Sequence, residues 1–187
     1  MAYTFETPSL GYPPVATAIT AGTGITQGAT TVYPATALGR VPGANLGTIV
    51  RGADPVYGEG EFIYLLGVAA TVVGSWVSYN GGAGAPTYQT ALMAVTAGQG
   101  VPIAVAMSAC LAGQYGWYQI QGNAVAATNG TMTATSKIYT AGSGQATSTQ
   151  AAGTQILNAV SNSATGTPAA GQAVVMIDRP FLQGQIL

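Results

Sequence analysis

Histidine is missing from this chain, and charge nearly so: four Lys or Arg and five Asp or Glu make up 5% of 187 residues, where an ordinary soluble domain carries about 25%. Proton transfer near neutral pH leans on His, or on carboxylates, Lys, Tyr and Cys tuned by their surroundings. That supply is almost empty, so the sequence points away from catalysis and toward a protein that acts through shape and surface. Four scattered cations cannot form a phosphate-tracking stripe, which excludes ordinary nucleic-acid binding. They are also too few for a polybasic anchor on anionic lipid.

Cysteine is nearly absent as well. Cys110 is the single copy, so no bridge can form within the chain and a disulfide-stapled scaffold is excluded. It follows the apolar run Val101 to Met107 and reads as a small buried hydrophobe, with no His to activate it as a nucleophile. Long hydrophobic runs are missing too. The two longest apolar stretches, Phe62 to Val77 and Val101 to Ala112, are broken by Gly or Pro and fall short of the ~20 residues a spanning helix needs. The opening Met1-Ala-Tyr-Thr-Phe-Glu-Thr-Pro8 has no basic segment and no apolar run, so it does not read as a secretory signal, and synthesis in the cytoplasm is expected. A formal net charge of −1 gives weak repulsion between copies, which favours assembly.

What the chain has in quantity is Gly, Ala, Thr and short apolar runs. Residues 1–46, with Pro8, Pro13, Pro14 and Pro34 and little periodicity, read as an extended N-terminal arm whose apolar anchors include Tyr3, Phe5, Tyr12 and Val15. Residues 47–187 read as a β-rich domain. Runs of β-branched and aromatic residues separated by Gly, Asn or Pro predict strands at Thr48–Arg51, Glu61–Leu66, Ser75–Tyr79, Val101–Met107, Gly116–Gln121, Lys137–Thr140 and Ala173–Ile177. Asn80-Gly81-Gly82 is a hairpin signal, so Thr87 to Met93 should return beside the third of these. Gln155 to Val160 fits a strand or a short helical turn. Strict alternation in Gly116–Gln121 puts Trp117, Gln119 and Gln121 on one face, which two Gln side chains mark as wet or interfacial. The Ala/Thr/Ser/Gly stretch Gly122 to Gly153 has no fixed period and reads mainly as a decorated loop region. The expected class is all-β, a small β-barrel or β-sandwich of short antiparallel strands.

Chemistry-bearing patterns are sparse. Asp54, Glu59 and Glu61 fall close together beside Arg51 on a Gly-rich turn. A Ca²⁺ site would need such oxygens to converge, yet the spacing does not match the EF-hand loop, and two Glu on one strand rarely flank a sugar as a glycosidase pair must. No cofactor or metal is expected. A row of aromatics around Trp117 could stack on a sugar, though such residues more often form core or subunit interface.

Two blocks carry a resemblance. Gly58-Glu-Gly-Glu-Phe-Ile-Tyr-Leu-Leu-Gly-Val-Ala-Ala-Thr-Val-Val-Gly-Ser-Trp-Val-Ser-Tyr79, and Ile103-Ala-Val-Ala-Met-Ser108 continuing to Gln114-Tyr-Gly-Trp-Tyr-Gln-Ile-Gln-Gly-Asn-Ala-Val125, resemble segments of the head decoration, or capsid cement, proteins of tailed bacteriophages. The likeness spans about Gly47 to Val125. It implies a β-rich domain on the outside of an icosahedral virion shell, bound to the major capsid protein and to other copies of itself, with a trimer favoured over a dimer. It supplies no catalytic residue. Tyr3, Phe5, Tyr12, Trp117, Gln119 and Gln121 are the expected interface residues. A tail or fibre component and a virion-borne carbohydrate-binding module are the alternatives.

Overall fold

The computed structural model describes residues 4–5, 15–20, 25–27, 30–33, 44–80, 88–97 and 99–184. Within them the chain is all-β and without a helix. Fourteen strands follow in order. The first four are short pieces of the N-terminal segment: β1 (Thr4–Phe5), β2 (Ile19–Thr20), β3 (Ile25–Gln27) and β4 (Thr30–Tyr33). The main body begins with β5 (Ile49–Asp54), β6 (Gly58–Leu66), β7 (Trp76–Tyr79), β8 (Thr90–Leu92) and β9 (Ile103–Ala106). It ends with β10 (Gln114–Ala127), β11 (Lys137–Gly142), β12 (Gln145–Thr147), β13 (Gln155–Ser161) and β14 (Gln172–Leu182).

All but β3 and β4 join one antiparallel sheet that curls into a half-barrel. β10 organises it. One of its edges carries β6, and the other carries β2, β9 and β14 in turn. Two branches leave that second edge, one running β9–β7–β8 and the other β14–β13–β11–β12. They meet again where Gly144, in the turn between β11 and β12, bonds by its carbonyl to Trp76 and by its amide to Met93. The curled sheet wraps a core built from Trp76, Met93, Ile103, Val105, Ala124, Ala126, Ile138, Val175 and Ile177 among others.

The Ala/Thr-rich stretch is therefore not a loop region. It holds the second half of β10 and all of β11 and β12, and Ala124, Ala126, Met132 and Ala146 are buried. Small side chains suit this place because Gly74 lies close against the β10 backbone at Val125 to Ala127, leaving little room for anything larger. Gln155 to Val160 is strand, paired with both β11 and β14. The return of β8 beside β7 follows the hairpin expectation, with Asn80 at φ +56° and its Oδ1 accepting from the Tyr88 amide.

The N-terminal segment is partly strapped to its own domain. Thr4 and Phe5 pair with Ala53 and Gly52 on the free edge of β5. Ile19 pairs with Tyr115, and Val15 is buried in a cluster with Phe62, Tyr64, Met107 and Trp117. Tyr3 and Tyr12 lie outside the described residues.

Candidate functional site

The alternation that put Trp117, Gln119 and Gln121 on one face is broken by a β-bulge. Gln119 pairs with Phe62 and Gln121 with Glu61, which are consecutive on β6 and so face opposite ways. Ile120 is the extra residue, and a one-residue slip turns every later side chain over. Trp117 and Gln119 are fully buried, so neither offers surface to a partner or a sugar. Trp117 stacks at a tilt on Tyr64, with ring centroids 4.8 Å apart, under the cover that Val15 and Ala44 complete. The Gln119 amide donates to the carbonyls of Gln121 and Asn123, at 3.0 and 3.1 Å, and so satisfies backbone groups at the bulge. Of the three, Gln121 alone reaches an open face.

That face collects nearly all the charge. Two of the nine charged residues, Glu6 and Arg40, lie outside the described residues; of the other seven, six share one side of the sheet. The cross-strand register runs Arg51 to Glu61, Glu61 to Gln121 and Gln121 to Asp178. Glu59 lies two residues from Glu61 on the same face of β6. Lys137 stands opposite Val160, and Val160 opposite Met176. Glu61 is nearly buried and accepts from Arg51 Nε at 3.3 Å and Arg179 Nη2 at 2.6 Å, while both arginine side chains stay more than half exposed. One shielded carboxylate thus fixes two arginines that would otherwise sweep solvent, at a modest energetic gain because the pairs are wet on one side.

Between the pairs Leu157–Phe181 and Ala159–Ile177 the β13–β14 ladder opens. Asn158 and Arg179 flank the opening at φ +57° and +48°, a conformation that side chains adopt at a cost of about 1–2 kcal/mol. The opening is the mouth of a cleft of about 630 Å³, lined by Gln121, Asn158, Val160, Met176 and Asp178 among others. Asn158, Met176 and Asp178 are exposed. No pattern along the chain marks this assembly, because its members come from six strands. The single local hint was Asp178-Arg179, the one adjacent pair of charges in the chain.

The carboxylates near Arg51 do not converge as ligands. Asp54 sits opposite Gly58, on the other face from Glu59 and Glu61, and its Oδ1 accepts from the amides of Val56 and Tyr57 at 2.7 and 3.0 Å. This ties the β5–β6 turn. No group of three or more His, Cys, Asp or Glu close enough to hold a metal occurs among the described residues.

Cys110 is buried. Burial pushes its thiol above the ordinary value, and hydrogen bonding to Tyr118 and the Gly67 backbone offsets only part of this. The thiol is protonated at neutral pH and poorly nucleophilic. Native protein should therefore resist a thiol-specific reagent such as dithionitrobenzoate, and release one equivalent on unfolding in guanidinium. Rapid labelling of the folded chain would refute this.

The chain matches no protein-family model, no curated protein sequence and no solved structure.

Proposed function

We propose that this chain is a structural virion protein that binds the outside of an icosahedral phage capsid and cements its capsomers against the pressure of packaged DNA. It acts without turnover, on the major capsid protein and alongside other copies of itself, and not on nucleic acid or membrane. The reading is supported by the two sequence blocks that resemble decoration proteins. The observation that carries it is the character of the surface. With charge gathered on one face, the rest of the described surface is neutral, and eight large apolar side chains are exposed, among them Val56 at 77%, Val95 at 59%, Val72 at 57% and Leu111 at 45%. Apolar area yields about 25 cal/mol per Å² when covered. A modest gain per copy, repeated over a shell, opposes outward pressure without any specific chemistry.

Strand edges supply the second kind of contact. Thr4 and Phe5 cover only part of the β5 edge, and an extended arm that pairs with one edge can pair with another. The test is occupancy on capsids that lack the protein, read by sedimentation and cryo-electron microscopy. A neutral contact should persist between 0.1 and 1 M NaCl with less than roughly a threefold change in affinity. Deleting residues 1–12, which spares the buried Val15, should lower occupancy several-fold. A stable protein with no affinity for any capsid would overturn the proposal, and unchanged binding by the deletion would remove the arm from it.

A further inference from the structure

The charged face is balanced: Arg51, Lys137 and Arg179 against Glu59, Glu61 and Asp178. Its charges are also ordered. Counting strands outward from the seam between β10 and β14, Lys137 lies on the third strand on one side, β11, and Glu59 on the second strand on the other side, β6. Both side chains are exposed, and neither has an ion-pair partner among the described residues. The seam itself holds the cleft and Met176, an apolar side chain 51% exposed between Val160 and Asn123 on the neighbouring strands.

We infer that this face is a twofold interface between two copies of the chain, joined across the β10–β14 seam with Lys137 of each copy set against Glu59 of the other. Two sheets laid face to face by a twofold must have the axis lying between them. An axis along this seam exchanges β10 and β14, so it sets Asp178 against the partner's Gln121 and not against its own image. The same rotation carries Lys137 level with the partner's Glu59 and one strand spacing, about 4.8 Å, to its side, and the two side chains together bridge that offset and the roughly 10 Å between packed sheets. Met176 of both copies is brought over the cleft, supplying an apolar centre inside a polar rim. Balanced charge is what selects a second copy as occupant: a strongly acidic or basic partner would meet like charge on half of this face. The contact is twofold, not the threefold that the decoration-protein resemblance favours. It does not rest on capsid binding.

The experiment is a charge swap on the full chain, followed by sedimentation velocity. The wild type should dimerise, and more weakly in 0.5 M NaCl. Lys137→Glu alone and Glu59→Lys alone each place two like-charge pairs in their own dimer, and each should raise the dissociation constant at least about tenfold. Mixing the two variants restores both attractive pairs, so the mixture should dimerise as the wild type does, and so should the double variant. Both positions are exposed, and circular dichroism checks that each variant folds. A wild type that stays monomeric at about 100 µM, or a mixture that fails to recover, overturns the inference. A dimer that forms as described but binds no capsid leaves it standing and rejects the cement reading.

Discussion

Alanine at Gly122 should cost the protein about 2–5 kcal/mol. Gly122 has φ +94°, and a Cβ built there falls 2.2 Å from the Glu59 carbonyl oxygen and 3.1 Å from Gly60 Cα. Both neighbours are backbone, so nothing can swing aside. The left-handed conformation accounts for about 1–2 kcal/mol, and forcing β6 away from β10 for about 1–3 more. At roughly 2–4 °C per kcal/mol for a chain of this size, the melting temperature should drop by roughly 10 °C. Gly130 is the control. It too has a positive φ, +74°, but nothing lies within 4 Å of its Cβ position, so Gly130→Ala should cost only the conformational part, about 1–2 kcal/mol. Equal melting temperatures for the two variants would mean that β6 and β10 are not pressed together at this pair.

Trp117→Ala should destabilise the fold by about 3–5 kcal/mol, the range for emptying a buried tryptophan site. The ring is inaccessible and packs on Tyr64, with Phe62, Met107, Val15 and Ala44 in the same cluster. The N-terminal segment should feel the loss first, because Val15 is held there. Limited proteolysis should therefore cut the variant near residue 15 under conditions where the wild type resists, and its denaturant midpoint should fall. A stable Trp117→Ala protein with altered ligand binding would restore the surface role that alternation alone had given this residue.

Local sequence was informative wherever local rules decide structure. Glu61 to Leu66, Ser75 to Tyr79 and Val101 to Met107 read as strands because β-branched and aromatic runs between turn residues have few other stable outcomes, and β6, β7 and β9 lie there within a few residues at the ends. Asn80 marked a hairpin because Asn tolerates a positive φ. Asp54 was visible as a carboxylate but not as a turn anchor, since that role depends on where the amides of Val56 and Tyr57 point. The Ala/Thr segment was misread for a related reason. Alanine carries almost no strand signal of its own, and Ala124, Ala126 and Ala146 are strand residues because larger neighbours cover them.

Composition by itself determined that charge would be scarce and that no internal disulfide could form, and the runs of β-branched and aromatic residues between turn residues determined that the described residues would be β-rich. Tertiary structure alone decided where the few charges went. A single inserted residue at Ile120 turned Gln121 away from Trp117 and Gln119, and antiparallel register then aligned Arg51, Glu61, Gln121 and Asp178 across four strands separated by as many as 127 positions in the chain. Side-chain facing alternates with every residue, so one bulge outweighs any pattern read along a single strand. Cross-strand neighbours are set by pairing, and pairing is a property of the folded sheet.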